Sequence, residues 1–182
     1  MKWFDAVDYV GTSAYFPVAE KGGATSEMMQ EKWKLIRDEL YEVHKKWNKK
    51  IVFIEIGCRS ANGCATMPWD FSHKELPHDE EEQAAFYDSC LSVFAGEEWF
   101  GGAFWWDWST YIYDTKEEAM ADNGFNIHLK KAENILKEAG FEVNLEVKEE
   151  NSDEVEKGYI IKQEIAEGEK IPAGTKVIIS VS

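Results

Sequence analysis

Short apolar runs alternate with segments of helical periodicity over the first two thirds of the chain. Strand-length apolar runs lie at 8–16, 51–57 and 101–108. From Glu27 to about Lys46, apolar residues recur every three or four positions, which is typical of a helix packed on a sheet. The second run is apolar on both faces, as a central parallel strand is. The pattern therefore predicts parallel strands joined by helical crossovers.

Both helices of this region have predicted starting points. Thr25 or Ser26 follows a glycine-rich loop and can cap the first helix. Asp79 can cap the second helix, with Glu82 three positions later, a spacing that resembles a capping box. The helices are therefore expected to begin just after these residues.

The last third of the chain has a different pattern. A short helix at 130–139 is expected to stop at Gly140, a suitable C-terminal cap. Three short alternating segments follow at 141–147, 158–165 and 176–181, separated by turn signals. These features predict a small antiparallel α+β unit that is separate from the tryptophan-rich part of the chain.

Length and charge limit the function. The chain has 182 residues, fewer than the roughly 250 of a complete (β/α)8 barrel. Its 20 basic and 35 acidic residues give a net charge of −15, which argues against nucleic acid or a membrane surface as a partner. No apolar run approaches the roughly 20 residues that span a bilayer, and the N-terminus lacks the regions of a secretory signal. Nothing in the chain as given predicts export.

The metal-binding residue types show no pattern of a site. Cys58, Cys64 and Cys90 cannot all pair with one another, and none forms a Cys-x-x-Cys motif. The four histidines include no pair at i, i+4 spacing. We therefore expect buried or idle thiols, no metal site and no cofactor.

Glu55 is the candidate catalytic residue. A carboxylate within an apolar strand is costly to bury unless it faces a polar cavity, and in barrel-like sheets that cavity lies at the C-terminal strand ends. The structural alternative is an ion pair with Arg59. Tyr15, at the same end of the preceding strand, is placed to donate a hydrogen bond to Glu55 or else to pack in the core. Arg59 is either a ligand contact or a clamp on its loop.

Large aromatic residues occupy both faces of the third strand. Trp106 and Trp108 share one face and Trp105 takes the other, so one set can pack on helices while the other lines a site. Flat apolar faces beside polar groups suit sugar rings. The alternative is an aromatic core. Together with Glu55 and Trp69, the pattern favours carbohydrate binding.

The segments 8–17, 53–60, 68–70, 83–84 and 102–108 together resemble glycoside hydrolase family 113, whose members are retaining β-mannanases with a (β/α)8 fold. The resemblance covers about residues 1–138, in the order of strands six, seven and eight. It implies that Glu55 is the nucleophile at the end of strand seven and that Tyr15 is its neighbour at the end of strand six. Trp106 or Trp108 would then form the floor of a sugar subsite. Cys58 stands where the family usually has tyrosine.

A retaining glycosidase needs two carboxyl groups about 5–5.5 Å apart. In this family the acid/base glutamate comes from strand four, whereas this chain begins at what looks like strand six. The resemblance therefore implies that the acid/base is missing. Asp107, which is embedded in the neighbouring strand, is the candidate for a substitute acid. However, a regular strand would turn its side chain away from the face of Trp106 and Trp108.

The C-terminal segments 139–143, 155–163, 167–175 and 177–182 resemble a PASTA domain, a small repeat of bacterial penicillin-binding proteins and Ser/Thr kinases. Such domains are associated with binding cell-wall muropeptides or with acting as spacers, so the resemblance allows a cell-surface location, while the sequence leaves the localisation open. We expect two domains, 1–128 and 129–182. Because one helix cannot bury its single apolar stripe in two cores, we expect the helix at 130–139 to pack with the PASTA strands.

The sequence thus predicts a partial (β/α)8 barrel followed by a PASTA domain. The expected function is that of a piece of a retaining endo-β-mannanase-like enzyme, inactive by itself, with a β-linked polysaccharide or oligosaccharide as substrate. The alternatives are a non-catalytic carbohydrate or peptidoglycan binding protein and a remnant without activity. Other expected partners are peptidoglycan, a complementing N-terminal barrel chain, and a second copy of this chain through exposed sheet edges.

Overall fold

A computed structural model describes residues 3–72, 75–107, 109, 112–140, 145–157, 159–166 and 177–182. The chain divides into two compact units, Met1–Ile135 and Leu136–Ser182. Each unit has its own sheet and is described by itself. No helix in the described part of the chain is long and apolar enough to cross a membrane.

The first unit contains a three-stranded parallel sheet with the spatial order β1-β2-β3. Two helices connect the strands in the manner of parallel crossovers, and two more follow the third strand. The elements are β1 (Tyr9–Ser13), α1 (Ser26–Trp47), β2 (Lys50–Ile56), α2 (Glu80–Phe94), β3 (Phe100–Trp105) and α3 (Lys116–Ala121), followed by α4 (Lys131–Glu138), which spans the boundary between the two units. The three parallel strands and the helices between them agree with the prediction. α3 was not predicted from the sequence.

The predicted helix caps are present. The Thr25 side chain, rather than that of Ser26, accepts a hydrogen bond from the backbone N–H of Met28 at the start of α1. Asp79 Oδ1 accepts from the backbone N–H of Glu82 at 3.0 Å at the start of α2. Each cap satisfies a donor that the first helical turn would otherwise leave unpaired.

The helices cover one face of the parallel sheet. Trp33 of α1 is fully buried and its ring contacts those of Phe53, Phe86 and Phe94. On the opposite face, Ile54 is 54% and Phe104 is 69% exposed. Although β2 is apolar on both faces, the described residues cover only one of them.

The second unit contains a sheet with the order β4-β6-β5, formed by β4 (Leu145–Glu149), β5 (Ile160–Gln163) and β6 (Val177–Val181). β6 pairs antiparallel with β5 but parallel with β4. The prediction of an antiparallel unit is therefore wrong for β4. Alternation of apolar and polar residues defines the faces of a strand but carries no information on its direction.

The helix between the two sheets differs from its prediction. The backbone N–H of Lys131 donates to Glu80 Oε2 at 3.2 Å, and its side chain pairs with Glu81. These contacts attach the first turn of α4 to the first unit, so the prediction that the helix packs with the PASTA strands is wrong for that turn. Gly140 has a φ of 83° just past α4, where it serves as the expected C-terminal cap.

Candidate active site

Glu55 and Tyr15 meet at the C-terminal ends of β2 and β1. Tyr15 Oη donates a hydrogen bond of 2.6 Å to Glu55 Oε1. The backbone sets this contact, because Ser13 pairs with Glu55 in the sheet and the N–H of Ala14 donates to the Glu55 carbonyl at 2.7 Å. Of the two roles that the sequence left open for Tyr15, the hydrogen bond to Glu55 is therefore the one present.

The electrostatic environment keeps Tyr15 protonated. Burial raises the pKa of the Tyr15 hydroxyl, and the hydrogen bond to Glu55 and the negative charges of Glu55 and Asp107 raise it further. Tyr15 therefore remains a hydrogen-bond donor throughout the neutral pH range, and Glu55 accepts from it.

Trp106 directly follows β3, which pairs with β2 on the side opposite to β1. Its backbone N–H donates to the Ile56 carbonyl at 2.7 Å, and its peptide bond to Asp107 is cis. A Cβ at Gly57 would lie 1.8 Å from the Trp106 carbonyl oxygen. Gly57 is thus the residue that lets the two backbones approach, and the Trp106 side chain remains 50% exposed.

Trp105 and Trp106, at the C-terminal end of β3, have different surroundings. Trp105 stacks on Tyr87 of α2, with ring centroids 4.3 Å apart and an angle of 18° between the rings. Trp69 is 50% exposed on the loop after β2. Trp108 lies outside the described residues. The roles of Trp69, Trp106 and Trp108 as sugar platforms stay predictions.

Arg59 is 4% exposed and clamps a neighbouring loop. Its Nε donates to the Asn123 carbonyl at 3.0 Å and its Nη2 to Asn123 Oδ1 at 2.8 Å. The adjacent Ser60 N–H donates to the Gly124 carbonyl at 2.9 Å. These contacts match the clamp that the sequence offered as one of two roles, and the ligand role stays a prediction.

Asp107 is half-buried and lies two residues beyond the end of β3. Burial raises the pKa of its carboxyl group and the charge of Asp122 adds to that effect, while Lys130 opposes it. Asp107 Oδ1 is buried without a hydrogen-bond partner among the described residues. Burial therefore disfavours the charged form of Asp107.

Lys130 is a buried residue whose role is not evident from the sequence. Its Nζ donates to Ser60 Oγ and to the Asp122 carbonyl, both at 2.8 Å, and only 1% of the residue is exposed. Burial lowers the pKa of its ammonium group to about 8, against the opposing effect of Asp122. In the sequence it stands beside Lys131 before a helix, a pattern that ordinarily indicates an exposed charge.

Glu82 does more than take part in the capping-box spacing predicted at the start of α2. Its carboxylate, on a residue 2% exposed, accepts from the backbone N–H groups of Gly23 and Gly63 at 2.8 Å and of Ala65 at 3.2 Å. It therefore holds the loops that follow β1 and β2. No cluster of three or more potential metal ligands occurs in the part of the chain that the structure describes.

Comparison with known proteins gives two family matches. The model for Glycoside Hydrolase Family 113 matches residues 1–130, and the PASTA domain model matches residues 126–182. The probable serine/threonine-protein kinase PknB of Bifidobacterium longum is 36% identical over 74 residues, which are 41% of this chain and 9% of the kinase.

Solved structures similar to the chain include the GH113 β-mannanase AaManA from Alicyclobacillus acidocaldarius in complex with ManMIm, with 31% identity and a TM-score of 0.63. A GH113 β-1,4-mannanase is similar with 29% identity and the same TM-score of 0.63. In both cases the match covers 76% of this chain and 40% of the mannanase chain. The chain thus spans less than half of these enzymes, and its α/β unit corresponds to part of their barrel. It belongs to Glycoside Hydrolase Family 113 and joins part of that fold to a PASTA domain.

Proposed function

We propose that residues 1–128 form strands six to eight, with their helices, of a retaining endo-β-mannanase-like barrel, and that Glu55 is its nucleophile. Residues 129–182 form the PASTA domain that follows. The observation that carries this proposal is the 2.6 Å hydrogen bond from Tyr15 to Glu55 at the C-terminal ends of parallel strands. Active sites of (β/α)8 enzymes lie at that end.

The chemistry follows from this pair. In a retaining reaction the Glu55 carboxylate attacks the anomeric carbon to form a glycosyl-enzyme, while a second carboxylic acid protonates the leaving oxygen. That second group then acts as the base for the attacking water. Tyr15 orients the Glu55 carboxylate, and its raised pKa prevents it from losing its proton to Glu55.

The second carboxyl group is assigned to the remaining strands of the barrel, present either upstream in a longer protein or on a complementing chain. Asp107 is the nearest alternative, because its charge acts on Tyr15 together with that of Glu55. However, it follows the strand adjacent to β2, whereas the acid must approach the glycosidic oxygen from the far side of the sugar. We therefore propose that these residues carry the nucleophile but lack the acid/base.

The proposed substrate is a β-linked polysaccharide or oligosaccharide of the mannan type. Trp69, Trp106 and Trp108 are the proposed stacking surfaces for its sugar rings, with Arg59 as a further contact near the loop after β2. The PASTA domain is proposed to bind peptidoglycan and so to hold the protein at the cell surface.

The test is complementation. The full chain is mixed with a separately expressed N-terminal half, strands one to five, of a family 113 β-mannanase, and release of reducing sugar from mannan is measured. Activity should appear only in the mixture and should disappear with Glu55→Gln but not with the exposed control Glu98→Gln. Activity of the chain alone, retained by Glu55→Gln, would contradict the assignment of the nucleophile.

The exposed aromatic residues favour a second candidate, a non-catalytic carbohydrate or peptidoglycan binding protein. Trp69 and Trp106 are each 50% exposed, which leaves their faces open to a ligand. In calorimetric titration with manno-oligosaccharide, this function predicts binding that survives Glu55→Gln and fails with Trp106→Ala. A remnant without function predicts neither binding nor activity.

A further inference from the structure

Two buried thiols lie in contact just beyond the candidate nucleophile. Cys58 follows Glu55 by three residues, and its sulfur lies 3.0 Å from that of Cys64. Cys58 is fully buried and Cys64 is 5% exposed. A disulfide bond is about 2.05 Å long, so a shift of roughly 1 Å would join the two sulfur atoms.

Adjacent residues of one helix hold the backbone around both cysteines. Gln83 Nε2 donates to the Cys58 carbonyl at 3.0 Å. The Glu82 carboxylate accepts from the N–H groups of Gly63 at 2.8 Å and Ala65 at 3.2 Å, the two neighbours of Cys64. Glu82 and Gln83 are both buried on α2, so these hydrogen bonds fix the backbone next to each of the two cysteines.

The two thiols differ in access. Cys64 lines a cavity of about 240 Å³ together with Arg59, Met67 and Leu76. Cys58 lies behind it, and burial together with the hydrogen bond to Cys64 raises the pKa of the Cys58 thiol. An oxidant whose disulfide bond reaches into the cavity therefore meets Cys64 first, and Cys58 is placed to attack second.

We propose that Cys58 and Cys64 form a disulfide modification site that reacts with a small disulfide oxidant such as oxidised glutathione. The Cys64 thiol loses its proton to water and its sulfur attacks the oxidant, which breaks the S–S bond of glutathione and releases one reduced glutathione. The Cys58 thiol then loses its proton and attacks the Cys64 sulfur. The Cys58–Cys64 bond forms, the second reduced glutathione leaves, and the two electrons lost by the cysteines reside on the glutathione thiols.

The sequence makes the product simple to map. Trypsin cleaves after Lys50, Arg59 and Lys74, so Cys58 and Cys64 fall on separate peptides, 51–59 and 60–74. Cys90 falls on a third peptide, 75–116. The full chain is reduced, freed of reductant, incubated with oxidised glutathione, quenched with acid, alkylated under denaturing conditions and digested without reduction.

The proposal predicts loss of two of the three alkylatable thiols and a disulfide-linked pair of peptides 51–59 and 60–74. Cys90 should remain alkylatable, and Cys90→Ala, the matched control, should give the same linked pair. Cys64→Ser should leave both remaining thiols alkylatable. The proposal would be overturned if all three thiols of the wild-type chain remained alkylatable after incubation with oxidised glutathione. A stable glutathione adduct on Cys64, or a disulfide that includes Cys90, would also overturn it.

Discussion

Replacing Lys130 by methionine should remove a pH-dependent cost of folding. The Lys130 side chain is fully buried against Ser60 and Asp122, and burial lowers its pKa from 10.5 to about 8. The folded chain therefore binds this proton more weakly than the unfolded chain does. The cost is complete below the folded pKa and falls as the pH rises from there toward the unfolded pKa.

The shift sets the expected magnitude. With pKa values of about 8 when folded and 10.5 when unfolded, the cost is roughly 3 kcal/mol at pH 7 and roughly 1 kcal/mol at pH 9.5. The stability of Lys130→Met relative to the wild type should therefore fall by about 2 kcal/mol between these pH values. Burial also raises the thiol pKa values of Cys58 and Cys90, which lowers stability with rising pH, but both proteins share that effect.

The measurement is urea unfolding followed by tryptophan fluorescence at several pH values from 7 to 9.5. All eight tryptophans lie between residues 3 and 108, so the signal reports only the first unit. Loss of the hydrogen bonds to Ser60 and Asp122 adds a constant offset that leaves the pH dependence unchanged. The control is Lys131→Met, whose ammonium group is exposed and should show no such dependence in this range. A difference between Lys130→Met and wild type that is constant with pH would refute the buried-charge argument.

Three further predictions follow from the packing. Gly57→Ala, which forces a Cβ against the Trp106 carbonyl, should lower the free energy of unfolding by about 1–3 kcal/mol in the same urea assay, and unchanged stability would contradict the close approach. Glu82→Gln should lower the free energy of unfolding by about 1–3 kcal/mol, because an amide replaces a buried carboxylate that accepts hydrogen bonds from three backbone N–H groups. The control Glu81→Gln, on the surface, should change it little. The open sheet face should cause self-association detectable by light scattering, which Phe104→Lys should reduce; a monomeric wild-type chain at high concentration would speak against it.

Local signals predicted most of the first unit. Period and capping chemistry are properties of adjacent residues, so α1, α2 and their caps at Thr25 and Asp79 could be identified from the sequence. The contact between Tyr15 and Glu55 could also be predicted, because parallel strands bring their C-terminal ends to the same edge.

The remaining features depend on distant partners. Arg59 and Asn123 are 64 positions apart, and Lys130 and Ser60 are 70 positions apart. Neither pair leaves a periodic pattern, and a lysine before a helix is normally solvated. The direction of β4 relative to β6 was missed for a related reason, because side-chain alternation is identical in parallel and antiparallel strands.

The geometry around Glu55 is set by contacts within the first unit. The backbone bonds from Ala14 to the Glu55 carbonyl and from Trp106 to the Ile56 carbonyl extend the sheet pairing past the strand ends. Tyr15 is positioned by the first of these bonds and in turn fixes the carboxylate. Positioning a nucleophile in advance avoids the cost of ordering it when substrate binds. Under the proposed function, in which Glu55 is the nucleophile, a complementing barrel half would supply the acid and the far wall of the cleft without any rearrangement of Glu55.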